Sequence, residues 1–204
     1  MSIQNFFEMI YWAGVVVGAV IRVKYTRPCK KNKIIEDRKS TRDMILVTIP
    51  GIGMFILPLI YIFTSRLDFA DYQIVPAVSL ALGISGGLVH IAAMALLWRS
   101  HFDLGRNWSP TLQIREQHSL VTHGSYFYLR HPMYAAHWLW ALAQPLLLQN
   151  WVVGFSMLVT FIPVYFARVA REETMMLEHF GELYQQYLGE TGRLLPRWRR
   201  QVTG

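Results

Sequence analysis

The sequence contains only one cysteine, and several familiar catalytic motifs are missing from it. Cys29 has no second thiol in the chain, which excludes an internal disulfide framework and is typical of a reducing compartment. There is no His-Glu-x-x-His motif, no Gly-x-Gly-x-x-Gly after a strand pattern and no Gly-x-Ser-x-Gly. A zinc protease, a Rossmann-type site and an α/β-hydrolase triad are therefore not supported. No metal is expected either, because paired ligand spacing is absent at His123, His131, His137 and His179.

Apolar residues, in contrast, are abundant. They make up 53% of the chain, and the mean hydropathy is +0.25. This is more apolar surface than a soluble protein of this length needs to form one core. Five apolar runs are each long enough, at about 1.5 Å per residue, to cross about 30 Å of hydrocarbon. These runs are 3–21, 44–64, 74–98, 132–149 and 151–167. The sequence therefore predicts an all-α integral membrane protein with five transmembrane helices and no Rossmann domain.

The basic residues predict how this bundle is oriented. Of the 20 Lys and Arg residues, nine lie in 22–42, one in 65–73, four in 99–130 and six from position 168 onward. Basic connections stay on the cytoplasmic side of a membrane, so we expect the N-terminus outside and the C-terminus inside. Anionic lipid headgroups on the cytoplasmic side explain the net charge of +7 without a nucleic-acid partner.

The chain reads as one membrane domain over 1–204, because it shows no repeats and no low-complexity linker. Segments 99–131 and 168–204 are the polar cytoplasmic parts, and they are the places where a site is expected. Within the spans, prolines such as Pro50 and Pro58 predict an irregular second helix, and Gly14 predicts close helix packing. The intramembrane His90 is a functional candidate with no ionisable neighbour in its own span.

A helical hairpin brings two distant polar clusters together. Only Gln149 and Asn150 separate the fourth and fifth spans, so the two spans should form an antiparallel hairpin. Arg130-His131, just before the fourth span, and residues 168–173, just after the fifth, should then lie at the same depth in the membrane. Carboxylates and basic groups in one place suit a zwitterionic ligand. Apolar residues at helical spacing after position 168 predict a separate amphipathic helix that lies against the membrane or the bundle.

The motifs of this C-terminal half resemble a known family. The stretch "HGSYFYLRHPMY" and the later "REETMMLEHFGELYQQYLGETGRLLP" are similar to the isoprenylcysteine carboxyl methyltransferase family. That family's pattern is Gly-x-Tyr-x-x-x-Arg-His-Pro-x-Tyr, then Glu-Glu, then Phe-Gly-x-x-Tyr-x-x-Tyr and a closing Arg-Leu/Ile-x-Pro. The resemblance covers about 104–196, and phospholipid N-methyltransferases share much of the same pattern.

The resemblance implies a cofactor and a set of site residues. The cofactor would be S-adenosylmethionine, with S-adenosylhomocysteine as product, held by the cytoplasmic ends of the last helices and the chain after them. The implied cofactor-binding residues are Leu104, His123, Tyr128, Leu129, Arg130, His131, Tyr134, Glu172, Glu173, Tyr184 and Tyr187. The implied catalytic residues are Arg168, Glu172 and Tyr134, with Arg168 guiding the acceptor and Arg99 as the second choice for that role.

The acceptor is predicted to be lipidic or prenylated and to enter from the bilayer. A carboxylate, such as that of a C-terminal isoprenylcysteine, is already ionised near pH 7 and needs a cationic guide but no general base. An amine acceptor, as in a phospholipid or other small-lipid N-methyltransferase, would need Glu172, Glu173 or His131 to take its proton. A transporter or scaffold is the distant alternative, against which the absence of inverted repeats argues.

Overall fold

The described part of the chain contains eight α-helices and one short β-ribbon. The computed structural model describes residues 3–29, 34–37, 41–108, 113–115 and 119–197. The helices are α1 (Ile3–Cys29), α2 (Thr41–Gly51), α3 (Leu57–Phe63), α4 (Pro76–Leu104), α5 (Ser125–Tyr128), α6 (Pro132–Leu148), α7 (Trp151–Phe180) and α8 (Glu182–Glu190). A π-helical turn (Ile52–Ile56) joins α2 to α3, and 3-10 turns cover Ser65–Ala70 and Gly105–Asn107.

Among the described residues, four helical segments are long and apolar enough to cross a membrane. They are Ile3–Thr26, Met44–Phe63, Pro76–Leu104 and Trp151–Phe180, and they coincide with four of the five predicted spans. The remaining predicted span, 132–149, coincides with α6, which has 17 residues and is therefore about 25 Å long. The integral membrane class is confirmed, whereas the count of five spans and their orientation stay predictions.

The all-α prediction missed a two-stranded ribbon. Strand β1 (Ile34–Asp37) pairs in antiparallel fashion with β2 (Gln113–Arg115), so that Ile34 lies opposite Arg115. Strands of four and three residues are too short to show the alternating pattern that identifies a strand in a sequence. The ribbon connects the segment after α1 with the segment after α4.

The predicted separate amphipathic helix after position 168 is wrong in its boundaries. The apolar run ends near Ala167, but α7 continues without a break to Phe180 because residues 168–180 contain neither proline nor glycine. Gly181, with φ of +56°, ends α7, and α8 follows it. Arg168, Glu172 and Glu173 are therefore carried by the same rigid helix that forms the last apolar segment.

Helix α6 is central in the bundle and packs against α1, α4 and α7. Glycines allow the close approach of these helices, as Gly14 was predicted to do. A Cβ at Gly14 would overlap the His90 ring, and one at Gly18 would lie 2.8 Å from Trp140. His90 itself is buried, stacked on Tyr11 with ring centroids 5.8 Å apart and edge-on to Trp140 at 5.3 Å. It packs as an aromatic ring between α1 and α6.

The second span was predicted to be irregular, and the irregularity is the π-helical turn. Side chains from other helices donate hydrogen bonds to carbonyl groups of this turn. Pro58 has no N–H group for the Met54 carbonyl, which accepts instead from the Tyr11 hydroxyl at 2.6 Å. Gln144 donates to the Gly53 carbonyl at 3.0 Å and to the Val153 carbonyl at 2.7 Å. Its own amide oxygen accepts from Tyr11 at 3.1 Å. One buried amide thus joins α1, the π-helical turn, α6 and α7.

Substitution of Gln144 by leucine should therefore destabilise the bundle. The change removes the amide donor of the Gly53 and Val153 carbonyls, and the Ser156 hydroxyl, 2.7 Å from both, can donate its one proton to only one of them. The other carbonyl loses its side-chain donor in an apolar interior, at a cost of about 1–3 kcal/mol. Thermal unfolding of detergent-purified protein measures the effect as a lowered midpoint. Leu142→Ala, at an exposed position of the same helix, is the matched control and should shift the midpoint less. Equal shifts for the two variants would contradict a stabilising role for the amide.

Candidate active site

A pocket opens at the end of the bundle where α4 ends and α6 begins. It encloses about 860 Å³, including space open to solvent. Its wall combines aromatic and thioether side chains with a few polar groups. The lining residues are Leu104, Asn107, Trp108, Ser119, Leu120, Val121, Tyr126, Arg130, His131, Met133, Tyr134, Glu172, Met175, Met176, Tyr184 and Tyr187.

The chain after α8 returns to the entrance of α6 and fixes one wall of this pocket. The Arg130 N–H donates to the Gly192 carbonyl at 2.8 Å, and the His131 N–H donates to the Arg193 carbonyl at 3.1 Å. Leu129 and Gly192 form a parallel bridge, and a Cβ at Gly192 would overlap the Leu195 carbonyl. Both N–H groups just before α6 are therefore engaged by the chain after α8.

Glu173 neutralises the cations behind the pocket wall. Its carboxylate accepts from His131 Nε2 at 3.1 Å, from Arg130 Nε at 3.3 Å and from Arg193 Nε at 3.1 Å. Arg130 also donates to the Leu188 carbonyl at 3.1 Å, near the end of α8. Three segments that are distant in sequence, the start of α6, the end of α7 and the chain after α8, are therefore joined by one carboxylate.

Glu172 faces the pocket and joins two of the predicted catalytic residues. It accepts from the Tyr134 hydroxyl at 2.7 Å and from Arg168 Nη2 at 3.0 Å. His131 Nδ1 lies 3.9 Å from its other oxygen. Arg168 is buried one helical turn before Glu172 and does not itself line the pocket. The carboxylate thus fixes the phenol of α6 and the guanidinium of α7 at the pocket's inner edge.

A buried aspartate that the sequence analysis did not identify holds the pocket's other wall. Asp103 accepts from the Ser125 N–H at 2.6 Å and from the Ser125 hydroxyl at 2.8 Å, at the start of α5. Gly124 has a φ of +62°, and a Cβ there would overlap the Asp103 carboxylate. Arg99, the second choice for guiding the acceptor, pairs with Asp103 at 3.0 Å. Arg99 is therefore part of this structural contact.

The tyrosines of the pocket are neutral groups. Burial raises the pKa of Tyr126 and of Tyr184 above the ordinary value of a phenol, so both stay protonated at physiological pH. Tyr187 donates to the Tyr126 carbonyl at 2.6 Å and so fixes α8 against α5. These side chains offer aromatic faces and hydroxyl groups but no negative charge.

Seven of the eleven predicted cofactor residues line the pocket: Leu104, Arg130, His131, Tyr134, Glu172, Tyr184 and Tyr187. The others lie elsewhere. His123 and Tyr128 are exposed, Leu129 is buried against the chain after α8, and Glu173 lies behind the wall. Several lining residues were missed, notably Trp108 and Tyr126, although both belong to stretches that carry the family motifs. The roles of these residues stay predictions.

The fold and the pocket define an integral membrane helical protein with a mixed polar and aromatic pocket at one end of its bundle. Residues 86–178 match the family model described as "Isoprenylcysteine carboxyl methyltransferase (ICMT) family". This segment of the chain is therefore similar to that family, as the motifs in the sequence had indicated. Within the described ranges, no three His, Cys, Asp or Glu side chains lie close enough together to hold a metal ion.

The relatives with similar sequences are named as isoprenylcysteine methyltransferases. The protein-S-isoprenylcysteine O-methyltransferase of Schizosaccharomyces pombe is 36% identical over 72 residues, which are 35% of this chain and 30% of that protein. The Homo sapiens protein of that name is 30% identical over 108 residues, 52% of this chain and 38% of its own length. A probable one from Oryza sativa subsp. indica is 26% identical over 129 residues, 63% of this chain and 65% of that protein.

A solved structure supports the fold. The eukaryotic intramembrane Ras methyltransferase ICMT, solved without a monobody, superimposes with a TM-score of 0.53 and 25% sequence identity. The match covers 79% of this chain and 54% of that one. This chain therefore matches between about a third and two thirds of the length of these relatives.

Proposed function

We propose that the protein is an S-adenosylmethionine-dependent methyltransferase that methylates the carboxylate of a lipidic, prenylated cysteine acceptor. The observation that carries the proposal is the contact of Glu172 with both Tyr134 and Arg168 at the inner edge of the pocket, where α6 and α7 leave the apolar part of the bundle. The match to the family model and the names of the relatives support the same reaction class.

The donor set of the pocket fits this cofactor. The Glu172 carboxylate suits an ammonium group, and the Arg130 guanidinium at the wall suits a carboxylate. The rings of Trp108 and Tyr126 suit a heteroaromatic base, and aromatic faces also stabilise a sulfonium cation. When bound, the cofactor supplies a methyl group on a positively charged sulfur.

The protein's own contribution is alignment and exclusion of water. A carboxylate acceptor is ionised near pH 7, so the site needs to orient it and remove its hydration shell. Arg168 would guide the acceptor, because a guanidinium can form a bidentate pair with a carboxylate. Glu172 and Tyr134 would hold Arg168 in place through their shared hydrogen bonds.

An amine acceptor is less well supported by this geometry. It would need a general base, and the two carboxylates available are already engaged by donors. Glu172 accepts from Tyr134 and Arg168, and Glu173 accepts from Arg130, His131 and Arg193. Burial raises the pKa of the Glu173 carboxyl, but the hydrogen bonds from His131 and Arg193 outweigh it and lower that pKa to about 2, which makes Glu173 a weak proton acceptor.

Cofactor binding is the first test of the proposal. Calorimetry on detergent-purified protein should show binding of S-adenosylmethionine and S-adenosylhomocysteine near 1 μM, which corresponds to about −8.2 kcal/mol. His131→Ala should weaken binding about tenfold or more, because it removes a wall residue and a partner of Glu173. His179→Ala, at an exposed histidine outside the pocket, is the matched control.

No heat and no thermal shift at millimolar cofactor would contradict the proposal. If the cofactor binds, a screen of lipidic carboxyl and amine acceptors follows. Methylation of amines alone would replace the carboxylate acceptor with a phospholipid-type one.

A further inference from the structure

Arg22, near the end of the apolar part of α1, is a cation that the proposed mechanism does not use. Its Nη2 lies 3.1 Å from Nε2 of His137 on α6. Nδ1 of that imidazole lies 2.7 Å from the Met133 carbonyl, which can only accept, so Nδ1 carries the proton. Nε2 is then the acceptor for Arg22, and His137 is neutral. The hydrogen bond orients the guanidinium but does not neutralise its charge.

No carboxylate balances this charge among the residues that the structure describes. The ion pairs in those ranges join acidic groups to Arg99, Arg130, His131, Arg168 and Arg193. The charged neighbour within electrostatic range of Arg22 is another cation, Arg168. An uncompensated charge close to hydrocarbon is costly, and such residues commonly mark ligand sites. The side chain of Arg22 lies at the surface of the helical bundle.

Arg22 lies near the pocket, because its hydrogen-bond partner His137 is on the same helix as two of the lining residues. His137 follows the lining residues Met133 and Tyr134 by one turn of α6, in the direction that leads away from the pocket. Its ring stacks on Phe161 of α7 with centroids 5.7 Å apart, and Phe161 in turn lies 6.3 Å from the Tyr134 ring. Arg22 is therefore next to the inner, membrane-side end of the pocket, on the side formed by α1.

We infer that Arg22 binds the carboxylate of the acceptor at the membrane side of the pocket. The inference rests on the proposed function and identifies the residue that supplies the attracting charge. Arg168 is paired with Glu172, so that pair carries no net charge, whereas Arg22 retains its own. Two neighbouring guanidinium groups also favour an anion that bridges them. The apolar chain of the acceptor can stay in the bilayer along α1.

The test compares Arg22→Gln and Arg22→Lys in phosphatidylcholine nanodiscs, with Lys24→Gln as the matched control. Lys24 is also exposed and lies two residues further along α1, on a different helix face. The first measurement is equilibrium binding, without cofactor, of an S-prenylated N-acetylcysteine and of its uncharged carboxamide. The second is cofactor affinity by calorimetry.

The parent protein and Lys24→Gln should prefer the acid to the amide. Arg22→Gln should bind the acid about tenfold or more weakly, bind the amide unchanged and retain its cofactor affinity within about twofold. Arg22→Lys should recover part of the preference, because it restores the charge without the planar fork.

An unchanged acid preference in Arg22→Gln would overturn the inference. So would an effect of the variant that appears only when phosphatidylglycerol is added to the nanodiscs, which would assign Arg22 to a lipid headgroup. A protein that discriminates acid from amide through Arg22 but binds no cofactor would support the carboxylate site and refute the methyltransferase proposal. The two failures are therefore distinguishable.

Discussion

Glu173→Gln should weaken cofactor binding by about a hundredfold or more, although Glu173 does not line the pocket. Its carboxylate holds His131 and Arg130 at the entrance of α6 and Arg193 in the chain after α8. An amide of the same shape cannot neutralise them. Removing one partner of a buried ionic network costs about 3–5 kcal/mol, which exceeds the hundredfold effect.

Calorimetry measures the loss of binding, and thermal unfolding measures the accompanying loss of stability. Glu182→Gln, at an exposed acidic residue in the first turn of α8, is the matched control and should change neither quantity. Arg193→Ala should have a smaller effect than Glu173→Gln, because its side chain is half exposed. Cofactor affinity within about threefold of the parent protein in Glu173→Gln would show that this network does not position the pocket wall.

Arg168→Ala should lower turnover by about a hundredfold or more while cofactor affinity changes little. The guanidinium is buried behind Glu172 and is absent from the pocket wall, so its loss should affect the acceptor more than the cofactor. Positioning of reactants alone can supply a rate factor of this size. Arg168→Lys should recover little of the rate, since an ammonium group cannot reproduce the bidentate fork.

Steady-state kinetics at saturating cofactor measure the turnover, and calorimetry measures the affinity. Arg171→Ala, at an exposed arginine three residues further along α7, is the matched control. Glu172→Gln should give the complementary pattern, with weakened cofactor binding, because Glu172 lines the pocket. Loss of cofactor binding in Arg168→Ala with intact turnover at saturating cofactor would assign Arg168 to the cofactor site.

The sequence predicted the helical part of the site well, because that part follows from periodicity and chain length. Only two residues connect α6 to α7, and the hairpin they form places His131 and Glu173 at hydrogen-bond distance. The connection itself has local signals, since Asn150 accepts from the Val152 and Val153 N–H groups as the N-cap of α7.

The features that were missed depend on contacts between segments distant in sequence. Asp103 is one acidic residue at the end of a long apolar helix, and nothing in its neighbourhood indicates that Ser125 will lie against it. Arg22 had been counted among the basic residues of a cytoplasmic rim, and only the packing of α1 against α6 brings it to His137. Local patterns carry no information about such pairings.

The bridge between Leu129 and Gly192 can form only late in synthesis, because Gly192 lies near the C-terminal end of the sequence. Helices α1, α4, α6 and α7 all precede Gly192, so a nascent chain can insert its apolar segments while the pocket wall is still incomplete. The His131 N–H finds its acceptor only when Arg193 has left the ribosome and folded back. The pocket wall is therefore completed only after the apolar helices have been synthesised.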